Sequence, residues 1–471
     1  MTSTEHDSDG DAQIRRAGGR DLTTGSIPRH LVAFSLPMLA GSALQVAYSL
    51  VNGVWVGRFL GEQALAAVTV SMPVVFVLIS VAAGLTLASN ILVAQDAGAR
   101  DWARLQRVVQ TSYALIGGIS LALVVVGVMN AGRLLTFIHT PSDIFPIAER
   151  YLRIFLWTLP FSFGLFLIGS ILRGIGDSKT PVYFQSVSVI LNAALDPVLI
   201  FGLLGAPKLG LNGTAYATII SQGVAVAALL IYIAYQRRLV NPDWRRLRID
   251  APTAWVLARI GVPAMIQQSV VSVSMFGIMR YVSLYGSVAD AAFGAALRID
   301  QVAFLPALTV GMAASTLAGQ NIGAGKVERV SRVFRWGIVL SGGISLLIML
   351  TAVSIPGVLL RAFTDDPQTL AIGSQYLRIV AFTYVLYAVM FVSHGVINGA
   401  GHTPITTVVS IIALWGVRIP LAGYLSHRLH GVVGIWLAML ASVAVGMILS
   451  LAYFYSGRWR TPITNIAQRA R

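Results

Sequence analysis

The chain has 471 residues, of which 56% are hydrophobic and only 11% charged, and it contains no cysteine. A soluble domain carries about 25% charged residues, so this balance cannot coat a water-soluble surface, and without cysteine neither disulfides nor thiolate metal sites can form. The formal net charge of +15 would suit a nucleic-acid partner, but the placement of the charges argues against one.

Residues 1–28 are polar and mixed in charge, without the apolar stretch and small-residue cleavage site of a secretory signal, and read as a disordered cytoplasmic tail. Apolar runs of membrane-spanning length then follow almost without pause. A bilayer core of about 30 Å needs about 20 residues of helix, and lipid offers no water to satisfy a bare backbone, so helices are the expected form. The predicted spans are 30–57, 64–94, 111–132, 151–172, 181–204 and 211–235, then 254–283, 290–318, 336–360, 376–397, 404–424 and 431–456. The expected fold class is therefore an all-α integral membrane protein of twelve transmembrane helices. Its expected organisation is a six-helix bundle over 29–235, a basic cytoplasmic linker over 236–252, a second six-helix bundle over 253–456 and a basic cytoplasmic tail over 457–471.

With both termini inside, 23 of the 34 Lys and Arg fall on the cytoplasmic side, in the tails and in the loops near 100–107, 173–179, 237–259 and 326–335. That asymmetry follows the positive-inside rule. It accounts for the basic balance without nucleic acid, so the expected surroundings are membrane lipid.

The two halves repeat. YLRIFLWTLPFSFGLFLIGSILRGIG (151–176) aligns without gaps on YLRIVAFTYVLYAVMFVSHGVINGAG (376–401), with eight of 26 positions identical and an offset of 225 residues. The same offset pairs QDAGARDWARLQR from Gln95 with QNIGAGKVERVSR from Gln320. Apolar helices resemble one another by composition alone, but these matches include Gly, Gln and Arg at loops and helix ends. Six helices per repeat give both halves the same orientation, as in carriers whose parallel lobes rock about a central site.

A charge at mid-bilayer costs about 2.5–3.5 kcal/mol on insertion scales, so the few that remain there are functional candidates. Asp196, in VILNAALDPVLIF, is the sharpest, with Asn192 one turn earlier on the same face and Pro197 loosening the helix beside it. A carboxyl among apolar neighbours has its charged form penalised, the property that lets a carrier load and unload a proton. The blander alternative is an Asp that only bonds a neighbouring helix. Asp300, in ALRIDQVAFLP, is the second candidate, and Arg298 two residues away lies on a different side of the helix. His394 reads first as a packing residue, and Arg418 as a side chain able to snorkel outward. Tyr48 and Asn52, four apart on the first span, either line a cavity or join helices.

Taken together, these residues resemble the multidrug and toxic compound extrusion (MATE) family, over nearly the whole chain from Pro28 to Tyr455. The resemblance is carried by NGVWVGRFLG (52–61), the duplicated QDAGAR and QNIGAG segments, LRGIGDSKTP (172–181) and LNAALDPVLIFGLLG (191–205), in that order. It implies two six-helix bundles around a cavity open alternately to either side. Such a protein is a secondary antiporter without cofactor, exporting small amphipathic, mostly cationic compounds against a proton or sodium gradient. In the branch resembling the DNA-damage-inducible F proteins, a polar cluster of the first bundle couples ions to export. Its residues fall here on Asn192, Asp196, Tyr48 and, in GLNGTAYATIIS, Thr218. One departure stands out: the family's first-span Asp is Asn52 here, which keeps hydrogen bonding but cannot release a proton. Asp196 then couples alone, or Asp300 shares the task. Gln267 and Gln268 stand in the seventh span where one branch has a Glu, so the second bundle offers few oxygens for sodium and protons are favoured.

A flippase for lipids or lipid-linked saccharides, from the related superfamily, is the alternative. It would line its cavity with several cations to meet a phosphate, whereas here the embedded ones are chiefly Arg280, Arg298 and Arg418. The loops lack the paired carboxylates or histidine clusters of a membrane enzyme, so no enzymatic activity is expected. The expected state is a monomer in the plasma membrane.

Overall fold

The computed structural model describes residues 19–236, 239–245 and 247–461, without the side chains at 50, 51, 53, 54 and 56–58. The tail expected over 1–18, residues 237, 238 and 246 of the linker, and 462–471 lie outside the described residues.

Among the described residues there is no strand, and 12 helices are long and apolar enough to cross a membrane. Ile27–Phe59 forms the first span. Glu62–Ala99, Trp102–Phe137, Phe145–Gly174, Lys179–Phe201 and Leu211–Gln236 complete the first half. Ala251–Ser283, Ser287–Gly323, Val327–Ser354, Phe382–Gly399, Thr403–Arg428 and Val433–Tyr455 follow. The third begins nine residues earlier than its apolar run because Asp101 caps it, its carboxylate accepting from Arg104 N at 3.0 Å. The ninth was expected to reach 360. It ends instead at Ser354, and a short helix, Pro356–Leu360, opens on the proline, whose ring cannot continue a helix.

Two compact units divide the chain. One comprises residues up to Asp21 together with Ala40–Arg259; the other comprises Leu22–Leu39 with Ile260 onward. The first span thus contributes its opening turns to the second unit and the remainder to the first.

The repeat is visible inside each unit. The fourth span turns 3-10 at Leu156–Thr158, and the tenth is interrupted at Ala381, between helices Pro367–Val380 and Phe382–Gly399. Leu156 and Ala381 are 225 residues apart. In the fourth span Pro160 withholds a donor from the turn before it. In the tenth, Thr383 Oγ1 donates to Val380 O at 2.6 Å and competes for that carbonyl. Close helix approach is repeated as well. A Cβ on Gly174 would stand 3.1 Å from Asn90 O, and one on Gly399 2.5 Å from Ser315 O. Arg104 Nε reaches Asp96 Oδ1 at 3.3 Å, and Arg329 Nε reaches Asn321 Oδ1 at 3.0 Å.

Candidate functional site

The polar residues of the first unit converge between its first, fifth and sixth spans. Asp196 is fully buried and Asn192, one turn away, nearly so. Asn192 Nδ2 donates to Thr218 Oγ1 at 3.2 Å and to Ser221 Oγ at 3.0 Å. Both hydroxyls spend their own protons on backbone, Thr218 on Thr214 O at 2.9 Å and Ser221 on Thr218 O at 3.2 Å. They can therefore only accept from Asn192, which fixes its amide and turns Oδ1 toward the Tyr48 hydroxyl.

Tyr48 is the pivot of the cluster. Its hydroxyl has one proton and two acceptors, Asn192 Oδ1 and Asp196 Oδ2, the latter at 3.2 Å. Among the described residues Asp196 Oδ1 is buried without a partner, and so is Asn52 Oδ1, one turn beyond Tyr48 on the first span. Pro197 adds to this surplus, since it cannot donate to the carbonyl of Ala193. The site is therefore rich in oxygen acceptors and short of donors. Such an arrangement can accept a proton or a small cation.

Of the sequence candidates, Tyr48, Asn192, Asp196 and Thr218 are brought together by direct bonds, and Asn52 belongs to the same unit and helix face. Ser221, which accepts from Asn192, was missed. Ser221 was legible, because it follows Thr218 by three residues on a helix.

Asp300 lies in the second unit, in a different setting. Its Oδ2 accepts from the Tyr376 hydroxyl at 2.5 Å and its Oδ1 from the Tyr384 hydroxyl at 2.6 Å. Tyr376, the tyrosine of the second YLRI copy, packs at 4.7 Å against Trp436, which stacks on Phe293. Both carboxylate oxygens are thus taken by donors, in a fully packed aromatic surround. His394 is buried between Ser450 Oγ, at 3.0 Å from Nε2, and Gln267 Nε2, at 3.5 Å from Nδ1, as a packing residue would be. Arg298 is exposed and lies over the Phe363 ring at 5.7 Å. Arg418 departs from expectation. It does not snorkel but is buried, on a π-helical stretch, Ile412–Arg418, that turns it into the unit against Ser442 and Tyr387.

Twelve spans, a duplicated six-helix unit and a buried acceptor cluster beside Pro197 define a polytopic membrane transporter. The MatE family profile matches residues 37–198 and 263–423, one segment in each half. The chain is 34% identical over 447 residues to the probable multidrug resistance protein YoeA of Bacillus subtilis, covering 94% of this chain and 96% of that one. It is 26% identical over 454 residues to the probable multidrug resistance protein NorM of Thermotoga maritima, covering 94% and 96%. Its fold matches an outward-facing multidrug resistance transporter of the MATE family with a TM-score of 0.86, at 24% identity over 94% of this chain and 97% of that one. The chain belongs to the MATE family: it is a multi-pass membrane transporter and not an enzyme.

Proposed function

We propose that the protein is a proton-driven antiporter, exporting amphipathic and mostly cationic compounds from the cytoplasm by alternating access, with Asp196 as the coupling group. The observation that carries this reading is the bonding of Asp196, a fully buried carboxylate whose Oδ1 has no donor and whose Oδ2 competes with Asn192 for a single tyrosine proton. A proton on Asp196 supplies the donor that the cluster lacks. Its loss leaves an uncompensated charge, so the two protonation states favour different packings of the first unit. Tyr48, Asn192 and Thr218 set the geometry, and Asn52 contributes an acceptor but no proton. Asp196 is the one carboxylate bonded into the cluster, which supports a proton over sodium as the coupling ion. Asp300, with both oxygens satisfied, is assigned to structure rather than coupling.

The substrate class follows the relatives, whose names describe multidrug resistance. The basic inner loops support a plasma-membrane orientation with both termini cytoplasmic, and the proposed state is a monomer in lipid. The test is efflux of a fluorescent cationic dye from proteoliposomes under imposed proton or sodium gradients, for the wild type and Asp196→Asn. Proton-driven export that disappears in the variant is the expected result. Sodium-driven export, or unchanged export by the variant, overturns the assignment.

A further inference from the structure

Arg418 is a cation deep in the eleventh span, 7% exposed. Its Nε donates to Ser442 Oγ at 2.9 Å and its Nη2 to the Tyr387 hydroxyl oxygen at 3.0 Å. Ser442 spends its own proton on Met439 O at 2.7 Å. Among the described residues no carboxylate pairs with the guanidinium: Asp300, the buried acid of the same unit, gives both oxygens to Tyr376 and Tyr384. A buried charge held only by neutral hydroxyls is costly, and an amide such as Gln would make the same bonds without that cost. A guanidinium kept under these conditions points to an anion that it meets some of the time.

Two donors remain to receive such a group. Nη1 of Arg418 makes no hydrogen bond and is not among the sealed, unpaired atoms, so it reaches the surface of the unit. The Tyr387 hydroxyl accepts from Arg418 but has no acceptor for its own proton among the described residues, and Tyr387 is only partly buried. The Tyr387 ring stacks on Phe391 at 5.4 Å and meets Phe304 edge-on at 4.8 Å. The neighbourhood thus pairs two unengaged donors with an aromatic wall.

We propose that Arg418 and Tyr387 form a receptor for the carboxylate of zwitterionic amphipathic substrates, with the aromatic wall taking the apolar body. The inference deepens the efflux reading and rests on it for the word substrate, but the binding it claims is measured separately. The probes are two rhodamines identical except that one carries a free carboxylate and the other its methyl ester. Fluorescence anisotropy gives the affinity of each for the full-length protein in nanodiscs, for wild type, Arg418→Gln, Arg418→Lys and Tyr387→Phe.

The expected result is a loss of at least about tenfold in affinity for the acid in Arg418→Gln, the scale of a hydrogen bond to a charged group, with the ester unchanged. Tyr387→Phe is expected to lose several-fold for the acid alone. Arg418→Lys, which keeps the charge without the planar fork, recovers part of the loss. An unchanged acid-to-ester ratio in all three variants overturns the receptor, as does parallel loss of both dyes, the mark of a merely structural arginine. If Arg418→Gln does not fold, Arg418→Lys and Tyr387→Phe decide by the same ratio. A wild type that does not bind the acid also overturns it. A wild type that binds the acid but exports neither dye under any gradient sinks the efflux reading and leaves the receptor standing.

Discussion

The Tyr48 hydroxyl stands 3.2 Å from Asp196 Oδ2, across from the Asn192 amide oxygen that competes for the same proton. One proton between two acceptors makes Tyr48 the part of the cluster that senses the charge state of Asp196. Tyr48→Phe removes the shared donor without altering ring packing. It is expected to slow proton-driven dye export at least about tenfold, the effect of losing a hydrogen bond to a charged group, while leaving dye binding within twofold. Loss of binding in step with export would make Tyr48 a substrate contact instead.

Asp196 and Asp300 are expected to separate into coupling and structure. Asp300→Ala leaves the Tyr376 and Tyr384 hydroxyls without their acceptor in a sealed aromatic core, at about 1–3 kcal/mol for each orphaned group. Its melting temperature in detergent should fall clearly, and adding Tyr376→Phe and Tyr384→Phe should recover part of the loss, since the three groups act as one network. Asp196→Asn should melt close to the wild type yet lose proton coupling. The reverse pattern, a stable Asp300→Ala without coupling, would move the ion site to the second unit.

The sequence was most informative where one helix or one repeat determined the answer. Asn192 and Asp196 share a face because they are four apart, and Pro197 marks the weakened turn in the sequence itself. The spans over 151–172 and 376–397 were expected to run unbroken; the breaks at Leu156 and Ala381 fall two residues after the two YLRI segments, at equivalent places in the repeat, and neither copy announces one. Contacts across helices were not legible. Asp300 meets tyrosines 76 and 84 residues away, and nothing in ALRIDQVAFLP announces them. Arg418 was read as snorkelling because the sequence shows a cation near a span end. The π-helical stretch that turns it inward is a local change of helical period without a sequence signature of its own.

The repeated glycine contacts predict an asymmetry in tolerance. Gly399 packs its α-carbon against the backbone of the eighth span, with Ser315 O 2.5 Å from where a Cβ would lie. Gly399→Leu forces backbone to move and is expected to cost 1–3 kcal/mol or more, about the range of core overpacking. Gly343, in the ninth span, has nothing within 4 Å of its Cβ position. Gly343→Ala should be neutral or stabilising by about 0.5–1 kcal/mol through helix propensity. Thermal melts of the two variants side by side test the packing of the repeat, and equal tolerance at both positions would contradict it.

The segment ahead of the first span is held by the second unit through its backbone, in a way that predicts a local and measurable opening. Leu22 N donates to Gln320 Oε1 at 3.1 Å, and Leu22 O accepts from Asn321 Nδ2 at 3.2 Å, while Arg329 holds Asn321 Oδ1 from the other side at 3.0 Å. Leu22 itself is buried in a cluster with Phe34, Phe454 and Trp459, so the side chain and both backbone groups are engaged together. Gln320→Ala removes the acceptor for the Leu22 amide, and Arg329→Ala removes both the hold on Asn321 Oδ1 and the guanidinium's own bonds to Thr24 O at 3.3 Å and Gly25 O at 3.1 Å. Each should raise hydrogen exchange at Leu22 and its neighbours by about tenfold, the effect of losing a bond worth roughly 1–1.5 kcal/mol, while exchange in the Tyr48–Asp196 cluster stays as it was. Equal acceleration in both places would mean that the segment is coupled to the proposed ion site, and unchanged exchange at Leu22 would mean that its apolar side chain, not the amide clamp, holds it.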